Sequence, residues 1–241
     1  MSCAGGPDLI TDGLVLEVST NSRISIPTTS TNPFPLNNII TRSLYANIST
    51  TNMTYSSDYG GSLVSNSSGS GFTASAGAWT NLGLTNNFTI NILFDVISIT
   101  GINISGLILC ENYLTRGFRA GFYGNTGIYS FYFWATESGG TFDLVIPNTV
   151  FKLPERLFVT MSFDSTTGIG KVYKNGILAG QSASGRTIIS PNSSNSISFN
   201  SILNSTSTNI KFLYKSIYNR ALKDLEVLQN YNNLKGRLTL T

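Results

Sequence analysis

Apolar and polar residues alternate along several stretches of this chain, with the two-residue period of a β-strand. The clearest example covers residues 88–97, where every second side chain is apolar. The set predicted to face a core is Phe88, Ile90, Ile92, Phe94 and Val96. The intervening set, which is half polar, is predicted to face outward: Thr89, Asn91, Leu93, Asp95 and Ile97. This pattern is typical of a strand in one layer of a β-sandwich.

A second stretch, residues 156–180, predicts three consecutive strands in a meander. Its first strand, residues 157–163, places one apolar set on a single face: Leu157, Val159, Met161 and Phe163. The second and third strands are separated by Asn175 and Gly176. An Asn-Gly pair between strands favours a type I′ turn, because both central residues then need positive φ.

Shorter apolar runs predict further strands, about a dozen in all. The chain ends in a predicted short helix over residues 222–234. Its apolar residues recur at three-residue spacing and predict one buried stripe: Leu222, Leu225, Leu228 and Tyr231. Gly236 is predicted to lie just beyond the helix, as the C′ residue.

Composition favours one globular domain over residues 1–241, since the chain is 41% apolar and 11% charged with aromatics spread throughout. Residues 1–13 lack the basic and apolar regions of a signal peptide, and residues 1–8 are predicted to be a flexible end. The net charge of +3 comes from scattered basic residues, so nucleic acid is not a predicted partner. No apolar run is long enough to predict a membrane partner. Cys3 and Cys110 are predicted to be free thiols made in a reducing cytosol.

Four motifs spread along the chain carry a family resemblance. The opening runs through Gly6, Pro7, Leu9, Ile10, Thr11, Asp12, Gly13, Leu14, Val15 and Leu16. The second comprises Tyr55, Gly60, Gly61, Ser62 and Leu63, and the third Thr160, Asp164, Tyr173, Asn175, Gly176 and Leu178. The closing motif covers residues 217–222 with Glu226, residues 230–232, Lys235, Gly236 and Arg237. Together they resemble bacteriophage virion proteins with a LamG-like, concanavalin A-like jelly-roll domain.

The resemblance implies an all-β fold, an antiparallel two-sheet jelly-roll sandwich closed by a short C-terminal helix. It implies a non-enzymatic structural protein of the virion, made in the host cytoplasm, such as a capsid decoration, head-fibre or tail-associated subunit. The expected partners are other virion proteins and copies of the chain itself. Two stretches that are almost free of charge, residues 142–146 and 196–203, are predicted to be sheet edges that make such contacts. Where the family has a Ser helix cap, this chain has Lys223, so a weaker cap is expected.

Catalytic chemistry is not predicted from the residues. The chain has no histidine, and its twelve acidic residues are dispersed, with no two at i and i+2 on one strand. A Ser-His-Asp triad and a paired-carboxylate glycosidase site are therefore both disfavoured. No acidic cluster has calcium-loop spacing, so no metal and no cofactor is predicted, and Asp58 and Asp164 are interpreted as turn residues.

The alternative function is a carbohydrate-binding adhesin module that recognises host-surface glycans. Exposed aromatic rings stack on the apolar faces of sugars, and the candidates are Trp79, Tyr123, Tyr132 and Trp134. Packing in the core or between the sheets is the favoured interpretation for each of the four rings. Tyr132 and Trp134 share one strand face, so an exposed platform is the alternative for this pair.

Overall fold

The computed structural model describes most of the chain, with sixteen strands and two helices in the described part. The described residues are 8–27, 32–48, 53–58, 61–65, 71–74, 78–100, 105–110, 117–125, 128–137, 140–146, 155–189, 197–201 and 207–237. The predicted flexible end lies almost entirely outside them, as do Cys3 and the side chain of Cys110.

The strands form two large antiparallel sheets and one small sheet. The first eight strands are β1 (Leu14–Ser19), β2 (Phe34–Asn37), β3 (Leu44–Ile48), β4 (Met53–Ser56), β5 (Ser62–Ser65), β6 (Phe72–Thr73), β7 (Phe88–Thr100) and β8 (Ser105–Cys110). The others are β9 (Phe118–Asn125), β10 (Ile128–Glu137), β11 (Gly140–Ile146), β12 (Glu155–Asp164), β13 (Ile169–Lys174), β14 (Ile177–Gln181), β15 (Ile197–Ser201) and β16 (Ser207–Tyr218). The helices are α1 (Ala78–Asn81) and α2 (Asp224–Arg237).

The eight-stranded sheet has the order β14-β13-β12-β7-β16-β5-β4, and β1 also pairs with β16. The six-stranded sheet has the order β11-β10-β9-β8-β15-β6, and β2 pairs with β3. Rings from the two large sheets meet in one core, where Phe88 stacks on Phe118 with centroids 4.8 Å apart. The antiparallel sandwich with a C-terminal helix is therefore confirmed.

The predicted core faces of β7 and β12 are also confirmed, since all nine apolar residues assigned to them are buried in that core. The predicted outward face of β7 is wrong in part, because Thr89, Asn91 and Leu93 are buried as well. Helix α2 covers this side of the sheet, and Leu93 packs in a cluster with Tyr231 and Leu234 of the helix.

The covered face of the eight-stranded sheet also holds a polar ladder. Asn91 donates a hydrogen bond from its amide nitrogen to Ser216 Oγ at 3.0 Å. Thr160 donates its hydroxyl to Asn91 Oδ1 at 2.6 Å. The three buried polar side chains satisfy one another across β16, β7 and β12, which is what burial demands of them.

The turn between β13 and β14 has the predicted I′ conformation. Asn175 has φ of 52° and Gly176 has φ of 79°, and Lys174 pairs with Ile177 directly across the two-residue loop. The turn is anchored to the sheet, because Phe158 donates its backbone N–H to Asn175 Oδ1 at 3.1 Å.

Helix α2 forms as predicted, but its buried face and its end differ from the prediction. The buried helix residues are Val227, Asn230, Tyr231 and Leu234, whereas Leu225 is 78% exposed. Strict three-residue spacing drifts around a helix of 3.6 residues per turn, so the predicted stripe leaves the buried face. Gly236 lies inside the helix rather than beyond it.

The sheet edges are decided by long-range pairing. The predicted edge at residues 142–146 is confirmed, because β11 is the last strand of the six-stranded sheet. The predicted edge at residues 196–203 is wrong, because β15 lies between β8 and β6. At one end of the eight-stranded sheet the edge is β14, which the sequence motifs did not single out.

Candidate functional site

A cleft of about 420 Å³ opens where the end of β12 meets the start of helix α2, and we name it the β12–α2 cleft. Its hydroxyl and amide groups come from Asn87, Ser162 and Thr167. Its charged side chains are Asp164, Lys171, Arg220 and Lys223. Its apolar side chains are Ile169, Ala221 and Leu222.

Asp164 ends strand β12 and holds the turn that follows it. Its Oδ1 accepts the Thr166 N–H at 2.9 Å, and its Oδ2 accepts the Thr167 hydroxyl at 3.0 Å. Partial burial raises the pKa of Asp164, but the hydrogen bonds from Thr166 and Thr167 outweigh it and the net shift is downward. The carboxylate is thus ionised and fixed in place, in agreement with its interpretation as a turn residue.

Asn87 directly precedes strand β7 and joins this turn from the other side. Its Oδ1 accepts the backbone N–H of Ser165 at 2.7 Å and the Ser165 hydroxyl at 2.9 Å. Both bonds use the same oxygen, so the orientation of the amide is set. Within the described part of the chain, the Asn87 amide nitrogen keeps its donors available to a ligand.

Arg220 and Glu226 hold the helix side of the cleft. The two terminal nitrogens of Arg220 bind Glu226 in a bidentate pair at 2.9 and 2.7 Å. Arg220 Nε also lies 2.9 Å from Asp12 Oδ2. Glu226 in turn accepts the backbone N–H of Lys223 at 2.7 Å, which is the acidic half of a capping box. The weaker cap expected at Lys223 is therefore offset by Glu226, whose pKa the Arg220 hydrogen bond lowers.

Lys171 and Tyr173 of β13 reach the first residue of helix α2. Lys171 Nζ and the Tyr173 hydroxyl both bind Asp224 Oδ1 at 2.8 Å. Burial and the hydrogen bond to Asp224 raise the pKa of Tyr173. The same two donors, Lys171 first, lower the pKa of Asp224. The side chains around the cleft are thus ordered before any ligand arrives.

The sequence-predicted aromatic residues lie elsewhere. Trp79 of α1 is buried in the core, where its ring packs edge-on against Phe88 and Phe118 at 5.2 Å from each. An exposed position for Trp79 is therefore wrong, because both sheets close over it. Tyr123 lies on β9 opposite Ser130, and its side chain is outside the described residues.

Tyr132 and Trp134 share one face of β10, as predicted, on the side away from the main core. They are only 3% and 8% exposed, so the alternative of an open platform is wrong and both rings are packed. Arg119 of β9 covers both rings, with its guanidinium carbon 4.4 Å from the Trp134 centroid and 5.8 Å from that of Tyr132. Stacking of the Arg119 guanidinium on the two rings explains why this pair is covered, and no sugar is needed to explain it.

A second cavity, of about 460 Å³, is lined by residues of β1, β3 and the connection between β2 and β3. Its lining is mostly aliphatic: Leu14, Val15, Leu16, Ile40, Leu44 and Leu82. Tyr45 also lines it, but its hydroxyl accepts a 2.8 Å hydrogen bond from the fully buried Lys215. Asn38, Thr41, Ser43 and Asn81 also line this cavity and offer hydrogen-bonding groups, but it differs from the β12–α2 cleft in having no charged side chain in its lining.

The described residues form neither a metal site nor a membrane-spanning helix. No group of three acidic or cysteine side chains there is arranged to hold a metal ion. None of the helices there has the length and apolarity that a bilayer crossing requires. Independence of metals and cofactors stays a prediction.

No protein-family model matches the chain, and no curated protein matches it. Its fold does match many solved structures. The binding domain of Paraclostridial Mosquitocidal Protein 1 has a TM-score of 0.65 at 13% identity, over 92% of this chain and 52% of that one. A second match is Domain 4 of AbnA, a GH43 extracellular arabinanase from Geobacillus stearothermophilus, in complex with arabinotriose. Its TM-score is 0.65 at 13% identity, and the match covers 90% of this chain and 98% of that one. Trypanosoma rangeli sialidase has a TM-score of 0.64 at 17% identity, and the match covers 96% of this chain and 34% of that one.

This chain thus spans about half the length of the mosquitocidal binding domain and about a third of the sialidase. At these identities the likeness shows the fold alone. None of the three is described as a virion protein, so they lend no support to that part of the resemblance.

Sequence reasoning missed most residues of the β12–α2 cleft. Asp164 and Arg220 stood within the recognised motifs, but as fold markers rather than as ligand-binding residues. Asn87, Thr167 and Lys223 carried no signal of their own, because isolated polar residues are common in turns.

Proposed function

We propose that the chain is a non-catalytic carbohydrate-binding module and that the β12–α2 cleft binds a saccharide. The observation that carries the proposal is the combination of fixed polar groups with an apolar lining in one cleft. A sugar presents hydroxyl groups around its rim and C–H groups on its faces, so it needs both kinds of surface. The host-surface glycan expected from the sequence is the partner this proposal favours.

The polar groups match sugar hydroxyls in both directions. Asp164 accepts hydrogen bonds, while the Asn87 amide nitrogen and Lys223 donate them. Because Asp164 and Asn87 are already held by the turn after β12, little side-chain entropy is lost when a ligand binds. Ile169 and Leu222 supply apolar contact for the C–H faces.

Structures of the same fold that contain sugars support the proposal. Domain 4 of AbnA was solved in complex with arabinotriose, and the whole of that domain corresponds to this chain. A Trypanosoma rangeli sialidase in complex with sialic acid also matches with a TM-score of 0.65, but only 36% of that chain corresponds to this one, so its ligand is not carried over. Because the sialidase is a much longer, catalytic protein, its activity does not transfer to this chain, and we propose that this chain only binds.

A glycan array followed by calorimetry tests the proposal. We expect micromolar binding that weakens about tenfold or more in Lys223→Ala, since one hydrogen bond to a charged group is worth roughly that factor. Lys235→Ala is the matched control, because Lys235 lies on helix α2, which Lys223 directly precedes, but outside the cleft. Absence of any glycan binding would refute the proposal. Loss of binding in Trp134→Ala with retention in Lys223→Ala would move the site to the six-stranded sheet.

Self-assembly is a second candidate function, favoured by an exposed apolar cluster beside the β13–β14 turn. Ile177 is 70% exposed at the edge of the eight-stranded sheet, and Leu178 is also exposed. Leu225 and Leu228 are 78% and 36% exposed and lie about one helical turn apart on α2. An ideal Cβ on Gly176 would lie 3.1 Å from Leu228 Cδ1, which places the helix against the turn.

We propose a second copy of this chain as the occupant of this cluster. Strand β14 carries no charge, so two such edges can meet across a twofold axis without like-charge repulsion. Sedimentation velocity should show a dimer that Leu225→Lys dissociates, whereas Leu44→Lys, at another exposed leucine, does not. A protein that stays monomeric at high concentration would refute self-assembly.

The placement on a virion also stays a proposal, carried by the motif resemblance. Mass spectrometry of purified particles tests it directly. The chain should be present at a fixed copy number per particle after washing in high salt. Its absence from particles would contradict the hypothesis that it is a virion protein, but would not bear on the glycan proposal.

A further inference from the structure

We infer that the β12–α2 cleft selects an uncharged saccharide and discriminates against acidic ones. The inference rests on the proposed function, which it deepens by naming the class of ligand. It is drawn from the distribution of charge around the cleft, because three basic side chains line it and would at first suggest an anionic ligand.

Carboxylates outnumber the basic side chains once the carboxylates bonded to those basic groups are counted with the lining. The positive groups are Lys171, Arg220 and Lys223. The negative groups are Asp164 in the lining and, bonded to the basic groups, Asp12, Asp224 and Glu226. Three positive and four negative charges give a local net charge of −1, so the cleft has no excess positive potential to attract an anion.

Two of the three cations are already paired with carboxylates of the protein. Arg220 uses both terminal nitrogens on Glu226 and its Nε on Asp12. Lys171 Nζ lies 2.8 Å from Asp224 Oδ1. A ligand carboxylate would have to displace a protein carboxylate from either of them, and would gain no net ion pair by doing so.

Lys223 is the remaining cation, and its surroundings favour a hydroxyl over a carboxylate. Its side chain makes no ion pair among the described residues, but Glu226 accepts its backbone N–H at 2.7 Å and Asp164 lies in the same cleft. A hydroxyl accepts from Lys223 and donates to a carboxylate, whereas an ionised carboxylate donates nothing and is repelled by its neighbours. A neutral sugar can therefore pair with both Lys223 and Asp164, whereas an acidic group can pair with Lys223 alone.

The test compares neutral and acidic oligosaccharides by calorimetry, with arabinotriose and lactose as neutral probes and sialyllactose as the acidic probe. Each titration is run at about 0.05 and 0.5 M NaCl, a range over which screening of exposed charges changes strongly. We expect a neutral probe to bind with an affinity that changes less than about twofold with salt, and sialyllactose to bind at least about tenfold more weakly than lactose.

A matched pair of variants tests the cause. Asp224→Asn frees Lys171 and raises the local net charge from −1 to 0. Asp58→Asn removes one carboxylate that is bonded to a lysine, Lys211, outside the cleft, and the two carboxylates are similarly exposed, at 55% and 57%. We expect Asp224→Asn to raise the affinity for sialyllactose several-fold relative to lactose, and Asp58→Asn to leave that ratio unchanged.

The outcomes separate the inference from the proposed function. Tight, salt-sensitive binding of sialyllactose to the unaltered protein would overturn the inference and leave a carbohydrate-binding module. Binding of no saccharide on the array or by calorimetry would overturn the proposed function itself. If Asp224→Asn fails to fold, the comparison of lactose with sialyllactose on the unaltered protein still decides the inference.

Discussion

Replacement of Gly176 by alanine isolates the contact between the β13–β14 turn and helix α2. Gly176 has φ of 79°, and a Cβ added there would lie 2.9 Å from the Tyr231 Cβ and 3.2 Å from the Leu228 Cα. Both of those atoms belong to the rigid part of the helix, so a rotamer change cannot relieve the contact. The helix would have to move by several tenths of an ångström.

Gly185 provides a control with the same backbone cost. It has φ of 77°, and a Cβ there would meet nothing within 4 Å. Left-handed backbone costs an L-residue about 1–2 kcal/mol, which both variants share. Overpacking adds about 1–3 kcal/mol, which only Gly176→Ala should show. We therefore expect losses of about 1–2 kcal/mol for Gly185→Ala and about 2–5 kcal/mol for Gly176→Ala.

Urea unfolding followed by circular dichroism measures both variants against the unaltered protein. The midpoint and the slope give the change in the free energy of unfolding if the transition is two-state. Equal losses at Gly176 and Gly185 would show that the helix does not press on the turn. Unchanged midpoints in both would contradict the left-handed conformation at these positions.

Three further perturbations concern the polar ladder around Asn91, the ion pair of Glu226 and the expected independence of metal ions. Asn91→Ala should cost about 1–3 kcal/mol, because it leaves Thr160 and Ser216 without a partner, and an unchanged urea midpoint would contradict the ladder. Because Arg220 lowers the pKa of Glu226, this stabilisation is present above the ordinary value of 4.5 and is lost as pH falls through the lowered pKa. Glu226→Gln should thus make thermal stability less dependent on pH in the acidic range, and an identical pH profile would refute this. Addition of EDTA should leave the melting temperature unchanged, and a drop of several degrees would reveal a structural metal.

Local patterns in the sequence predicted the parts of the fold that depend on neighbours along the chain. The core faces of β7 and β12 follow from alternation, because a strand turns successive side chains to opposite sides wherever it lies. The I′ turn at Asn175 and Gly176 follows from the φ angles that these two residue types tolerate. The terminal helix was also predicted from a local pattern. The prediction of its buried side was wrong, because it assumed a fixed three-residue spacing of the apolar residues.

Tertiary structure decided what covers each surface. Asn91 and Leu93 look like outward-facing residues in the sequence, and they are buried because a helix more than 120 residues later docks over them. Strand β15 is an interior strand because β6 and β8 pair with it from distant parts of the chain. Edge and surface are properties of the assembled sheet, so no pattern within one strand could specify them.

The β12–α2 cleft shows the same division most clearly. Asn87, Asp164 and Lys223 are separated by about 60 to 80 residues along the chain and share no local motif. They meet because β7 pairs with β12, and because β16, which precedes the helix in the chain, pairs with β7. A hydrogen-bonding surface of this kind arises from the pairing of distant strands, whereas the sequence alone determined that those strands would form and which of their faces would be apolar.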